Sequence, residues 1–399
     1  MLGAPNPSYD RPYAGLRVLD LSQGIAGPYC SMLLAQYGAD VVKVEPAAGD
    51  WGRALGKRIG QHTAIDLSAN RGKRSIALDL KHAEGRAVLA KLAARCDVVL
   101  ENFRPGVEDR LGVGYEAVRK TNPKVLYVSV SGFGQRGPGR ALPGSDTVGQ
   151  AFSGMMMVNR DAAGVPKSTG FLTADYVTAL YAFQAVAAAL AARPHESAGR
   201  HLDVSLMHAS AAFLAMKIME ERLEGGPAPK LNAPAGSYRS KDGWIAVTLT
   251  KEAHFPALCN AIGRPALAAE TRFANFASRS KNLAELAPLV QAPLLEKTTR
   301  EWLAIFRAAD VLASAIHSLA SVLEDPQMKA MQVVAEENIS GLPPVPWVQI
   351  PGALPPPPDD PRRRWPDIGG DARGILGDLL DMDEAAIAKL RDSGALIST

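Results

Sequence analysis

Two carboxylates stand where an isolated acid could do chemistry. Asp175, in "STGFLTADYVTAL", sits at the threshold of an apolar helical run that continues "YAFQAVAAALAA". Local physics gives such an Asp the role of an N-cap, its oxygen accepting the orphan N–H groups of the first turn. A carboxylate in poorly hydrated surroundings is also a more reactive nucleophile or base, so both roles stay open at this point. Asp146, in "GSDTVGQAFSG", falls in a glycine-bracketed loop, where an Asp often only shapes a turn. Cations gather in two further stretches. "NRGKRSIALDL" places Lys73 and Arg74 before a strand, and "ENFRPGVEDRLGVG" places Arg104 and Arg110 around a helix start at Pro105 or Gly106. Cations beside a helix N-terminus suit a phosphate, and ordinary solvated charge is the plain alternative.

Other chemistries find little to work with. The 7 histidines fall at no metal-ligand spacing such as H-x-x-x-H, and no G-x-S-x-G turn offers a serine to pair with one, so no metal site is expected. Cys30, Cys96 and Cys259 are too few and too scattered for a disulfide framework or a thiolate cage, which fits a reducing cytoplasm. With 44 basic against 41 acidic residues and a net charge of +3, neither a nucleic-acid nor a membrane partner is expected. The opening "MLGAPNPSYDRPYAG" has no basic-then-apolar leader pattern, and no charge-free apolar run of about 18 residues appears, so the expectation is a soluble, cytoplasmic protein.

The elements that must position these residues read as alternating strands and helices. "LRVLDLS", "DVVKVEP", "RSIALDL", "DVVLENF" and "VLYVSVSGF" are short β-prone runs. Helices are expected over "GPYCSMLLAQYGA", His82 to Ala94 and Val107 to Lys120. This pattern predicts an α/β fold, a doubly wound and mostly parallel sheet covered on both faces. Ligands of such sheets bind at the carboxyl ends of the strands, and the first loop there is "SQGIAGP". It lacks G-x-G-x-x-G, and no G-x-x-x-x-G-K-[ST] loop occurs, which argues against dinucleotides and P-loop nucleotides. "GRHLDVSLMHASAAFLAMKIMEERLEGG" reads as a strand entering a helix that ends at Gly225 and Gly226, and "PAPKLNAPAG" as a linker. "GSYRSKDGWIAVTLT" has the pattern of a hairpin. The proline-dense stretch from Gly341 to Pro366 is expected to be an extended connector without packed secondary structure, and "DEAAIAKLRDSG" a final helix. The expected domains are a large Rossmann-like domain over 1–225, a small α+β domain over 226–330, and a return linker with a C-terminal helix over 331–399.

Taken together, "VLDLSQGIAGPYCSMLLAQYGADVVKVEP", "NRGKRSIALDLKHAEGR", "DVVLENFRPGVEDRLGVGYEAV", "SGFGQRGPG", "TADYVTALYAFQAVAAAL", "GRHLDVSLMHA" and "LEDPQMKA" resemble the family III CoA-transferases, in the family's order and over nearly the whole chain. The resemblance implies a nucleophilic aspartate at Asp175, with Asp146 an acidic neighbour in the catalytic set. For coenzyme A it implies contacts at Gln23, Ile25 and Ala26 of the first loop, at Lys73 and Arg74, and at Asn102, Phe103, Val107 and Arg110. It implies no tightly bound cofactor, acyl-CoA and a carboxylic acid as substrates, and an interlocked homodimer. Formyl-CoA transferase carries Gln where this chain has Ile25, which turns the expectation away from oxalate and formate. The covering glycine run of that enzyme is missing near "LNAPAGSYRS", and His208 replaces a usual acidic residue. The sister α-methylacyl-CoA racemases place a histidine where this chain has Ser145, and serine exchanges no protons near neutral pH. An isomerase and an idle acyl-CoA-binding homologue are the alternatives.

Overall fold

Short runs of Val, Leu and Ile make the strands β1 (Arg17–Asp20), β2 (Asp40–Glu45), β3 (Arg74–Ala77), β4 (Val98–Glu101), β5 (Leu126–Ser131) and β6 (Arg200–Ser205), in a computed structural model that describes residues 8–161, 163–226 and 232–397. The helices among and after them are α1 (Ala26–Gln36), α2 (Ala64–Ala69), α3 (Ala83–Arg95), α4 (Val107–Arg110), α5 (Tyr115–Thr121), α6 (Asp146–Phe152), α7 (Met155–Val158), α8 (Thr173–Ala192), α9 (Leu206–Phe213) and α10 (Ala215–Glu224). All six strands pair parallel, in the order β3-β2-β1-β4-β5-β6.

Side chains of a strand alternate between faces, so a sheet covered on both sides needs apolar residues at consecutive positions. Leu19, Val42, Ile76, Val99 and Tyr127 pack on one face with α3 and the helices Ala372–Leu380 and Glu384–Asp392. Val18, Val41, Val98, Leu126 and Val128 pack on the other with α1 and α8. The chain winds outward from β1 in one direction to β3 and from β4 in the other to β6. The crevice at the carboxyl ends of β1 and β4 is therefore the topological switch point, where open α/β sheets receive ligands.

Met1–Ala215 together with Val334–Thr399 form one compact unit, and Met216–Val333 another. The second is an antiparallel sheet of β7 (Gly236–Arg239), β8 (Trp244–Thr248) and β9 (Leu312–Ala315), with a core that includes Phe255, Phe273, Trp302 and Phe306. Residues 227–231 of the expected linker, and Met1 to Pro7 of the opening stretch, lie outside the described residues.

Three expectations are corrected. The single helix over Val107 to Lys120 is two, α4 and α5, because Gly112 adopts a left-handed φ of 75° that ends the first. The helix after β6 is interrupted at Leu214. The proline-dense stretch is packed: β11 (Val345–Val348) pairs antiparallel with β10 (Val334–Glu337). A two-stranded ribbon has only edges, which tolerate Pro346. Next to it the Arg71 guanidinium lies 4.4 Å from the Trp347 ring and 5.1 Å from that of Trp365, and donates to Glu337 at 2.5 Å.

Candidate active site

A cavity of about 380 Å³ opens at the switch point. Gln23, Ile25 and Ala26 reach it from the loop after β1 and the start of α1, and Asn102, Phe103 and Arg104 from the loop after β4. Ser131 and Gly132 close β5, Ser145 and Asp146 open α6, and Trp51, Asp175 and Leu206 complete the polar and apolar wall. Gly132 and Gly144 press backbone on backbone, since a Cβ on Gly144 would stand 2.4 Å from the Gly132 Cα. The approach brings α6, and Asp146 with it, against the end of β5.

Asp175 is not the cap of its helix. α8 begins at Thr173, so Asp175 lies inside the first turn. Asp146 does the capping from α6: its Oδ1 accepts the N–H of Ala174 at 2.7 Å and of Asp175 at 3.2 Å, and its Oδ2 accepts from Gln150 at 2.6 Å. The Asp175 carboxyl, partly buried and facing the cavity, has no hydrogen-bond partner among the described residues. Burial first, and then the charge of Asp146, push it up to about 7. A carboxyl beside backbone N–H groups would stay ionised far below neutrality, but here Asp146 takes those groups.

The shift has a sign in stability. The folded carboxyl titrates near 7 and the unfolded one near 3.9, so the folded state binds the extra proton between those values. Ionising Asp175 thus opposes folding in full above pH 7, less as pH falls, and not at all below about pH 4. Asp175→Asn is expected to raise the thermal midpoint above pH 7, with the gain vanishing near pH 4. Differential scanning fluorimetry at the two values checks this, and an equal gain at both would assign it to another cause.

The loop after β1, which brings Gln23, Ile25 and Ala26 to the cavity, is held by buried charge. Ser22 donates N–H and Oγ–H to Asp20 Oδ1. Lys43 Nζ donates to the Ser22 carbonyl at 2.9 Å and pairs with Asp50 Oδ2 at 2.8 Å. Asp50 Oδ1 accepts the N–H groups of Gly24 and Gly52, each at 2.8 Å. Asn102 accepts the Gln23 N–H at 2.9 Å and donates to the Gln23 carbonyl at 2.7 Å, fastening the β1 loop to the β4 loop. Buried ion pairs contribute little net stability, but removing one partner is costly, so such a network fixes conformation.

A second, mostly apolar cavity of about 520 Å³ lies at the carboxyl ends of β1, β2 and β3. Leu21, Val44, Leu78, Leu80 and Ile397 line it, Lys81 stands at its edge, and Gln23 and Phe103 belong to both cavities. Of the residues proposed from sequence, Gln23, Ile25, Ala26, Asn102, Phe103, Asp146 and Asp175 converge on the first cavity. Val107 and Arg110 of α4 line neither cavity, although the adjoining Leu111 lines the second. Arg110 is exposed and has no ion partner among the described residues.

Lys73 and Arg74 are corrected. Lys73 is only 4% exposed, and its three donors go to Asp20 at 2.9 Å, the Pro28 carbonyl at 2.9 Å and Asn70 at 2.8 Å. Burial, opposed by Asp20, brings its amine down to about 8. Arg74 begins β3, at the amino end of the sheet, and is paired with Asp40 at 2.6 Å and Asp378 at 3.0 Å. The cation on the ligand side of this strand is Lys81, which follows it. Trp51 and Lys81 were missed in the sequence reading. Each follows a strand's carboxyl end, and that placement was the available signal.

The family model of CoA-transferase family III matches residues 13–372. Succinyl-CoA:glutarate CoA-transferase of Mus musculus is 32% identical, over 99% of this chain and 93% of that protein. Succinate–glutarate CoA-transferase of Agrobacterium fabrum is 32% identical over 95% of this chain and 98% of its own. A CAIB/BAIF family protein from Brucella suis has a crystal structure that superposes with a TM-score of 0.82 at 30% identity, over 94% of this chain and 100% of that one. Matched over nearly its whole length in both sequence and fold, the chain belongs to CoA-transferase family III and is a transferase enzyme.

Proposed function

We propose that this enzyme moves coenzyme A from a short dicarboxylic acyl-CoA, succinyl-CoA foremost, to a second carboxylic acid through covalent intermediates on Asp175. One observation carries the reading. The switch-point cavity holds an Asp175 carboxyl with no hydrogen-bond partner among the described residues, and no Cys, His or Lys lines the cavity beside it. The ionised Asp175 oxygen attacks the thioester carbonyl, the C–S bond breaks, and a mixed anhydride and CoA thiolate form. The thiolate attacks the aspartyl carbonyl and releases the first acid, leaving an aspartyl thioester. The incoming carboxylate displaces the thiolate from that thioester. The thiolate then takes the new acyl group and frees Asp175. No step transfers a proton, which accounts for a site without a base beyond its carboxylates.

The second cavity suits the nucleotide end, its apolar wall taking the adenine and the pantetheine arm crossing at Gln23 and Phe103, with Lys81 in its lining for the phosphates and Arg110 on α4 next to the lining Leu111. Lys81→Ala and Arg110→Ala are each expected to weaken CoA by about 1.5–3 kcal/mol, roughly tenfold or more. Calorimetry on the folded variants checks this, and unchanged affinity removes the residue from the site. A dicarboxylate is favoured because Arg104 lines the catalytic cavity with no ion-pair partner among the described residues, and because the relatives above are named for succinate and glutarate.

Mass spectrometry of the protein incubated with succinyl-CoA and glutarate tests the reading. New glutaryl-CoA, and a hydroxamate on residue 175 when hydroxylamine is present, are expected. Deuterium entering the α-carbon of a 2-methylacyl-CoA in heavy water, without transfer, would replace the transferase with an isomerase. A homodimer belongs to the same proposal and is supported by the exposed Met216, Ile218, Met219 and Leu223 of α10. Sedimentation of a monomer at micromolar concentration would overturn it.

A further inference from the structure

Trp51 has no structural task that accounts for its type. It belongs to none of the hydrophobic clusters, is 50% exposed, and its indole N–H donates to no atom among the described residues. It nevertheless lines the cavity that contains Asp175. A large aromatic left half bare inside a reaction cavity marks a surface kept for a ligand.

The turn that carries the ring is also fixed in place. Trp51 opens a 3₁₀ turn, Trp51–Arg53, capped by the Asp50 carboxylate that accepts the Gly52 N–H at 2.8 Å. Thr63 donates to the Gly52 carbonyl at 2.6 Å, and Arg53 binds Glu45 at 2.8 and 2.9 Å, so the turn is anchored on both sides of the tryptophan. The indole rests directly on Gly24: a Cβ at that position would stand 2.0 Å from Trp51 Cζ2, and the φ of 82° there is a second reason for glycine. Asp50 Oδ1 holds the Gly24 N–H as well, so one carboxylate seats the ring and the loop under it. A side chain held by its own supporting contacts makes a rigid wall. The cavity it bounds, at about 380 Å³, lies near the small end of the range for ligand sites.

We propose that Trp51 is the specificity-determining residue of this enzyme, its indole setting the upper length of the acyl group that reaches Asp175. The inference rests on the reading that the cavity receives acyl-CoA. A pocket wall that meets or misses methylene groups discriminates by about 10–200-fold per group.

The test compares succinyl-CoA with the longer dicarboxylic thioester suberyl-CoA, for the wild-type chain, Trp51→Ala and Trp51→Phe. Binding is measured by calorimetry and transfer to glutarate by mass spectrometry. Trp51→Ala is expected to raise the suberyl-to-succinyl ratio of kcat/KM at least tenfold, with unchanged affinity for free CoA, and Trp51→Phe to move the ratio the same way by less. If the alanine variant does not fold, the phenylalanine variant decides by itself. A ratio equal to that of the wild type, or an equal loss for both thioesters, overturns the role of Trp51 and leaves the transferase reading intact. If the wild-type chain neither binds nor turns over either thioester, that reading falls and this inference with it.

Discussion

Asp175→Ala is expected to abolish transfer by about 10⁴-fold or more while leaving the fold and the affinity for CoA in place. The alanine removes the cavity carboxyl that has no hydrogen-bond partner among the described residues, and it touches none of the bonds that fix the surrounding loops. A residue that merely supported its helix would cost about 0.5–2 kcal/mol of stability and leave the folded fraction active. The pH profile offers an independent check. In the proposed mechanism the nucleophile is the carboxylate, and burial together with Asp146 sets its titration at about 7, so single-turnover acylation should rise with pH through that value and level off above it. A folded alanine variant with near-normal turnover, or a rate flat from about pH 5 to 9, is incompatible with Asp175 as nucleophile.

Lys43→Met is the substitution expected to damage stability most. Lys43 is fully buried between Asp50 at 2.8 Å and Asp20 at 4.0 Å, and those carboxylates hold its amine charged against the pull of burial. Removing it leaves two carboxylates buried with too little positive charge, a situation that costs about 3–5 kcal/mol. Arg74→Ala, at a pair whose side chains are 27% and 37% exposed, should cost less than about 1 kcal/mol. Thermal unfolding of the full chain compares the two. If Lys43→Met lowers the midpoint no more than Arg74→Ala, the network does not hold the β1 loop as described.

Much of the architecture was legible because it is local. Runs such as "DVVKVE" and "LYVSVS" carry their strand pattern within a few residues, and the alternation with helices fixes a parallel sheet. Asp175 was legible as an acid entering an apolar helix. The rest was hidden by distance along the chain. Asp146 caps α8 from 28 residues away, so the sequence could not show that the cap was already supplied and that Asp175 was left without amides. Lys73 finds Asp20 across 53 residues, and from sequence it looked like a free cation. Trp51 acquires its meaning only when the ring is seen lying on Gly24.

The second cavity has a consequence for how the enzyme is made. Ile397 lines it, the Ile397 N–H donates to the Ala77 carbonyl at 3.0 Å, and Leu396 packs in the core beside β3. Ile375, Leu376 and Leu379 cover the same face of the sheet. A nascent chain that has already built β1 to β6 therefore still exposes that face and lacks a wall of the pocket. On the proposed reading of this cavity, thioester recognition waits until residue 397 has joined β3.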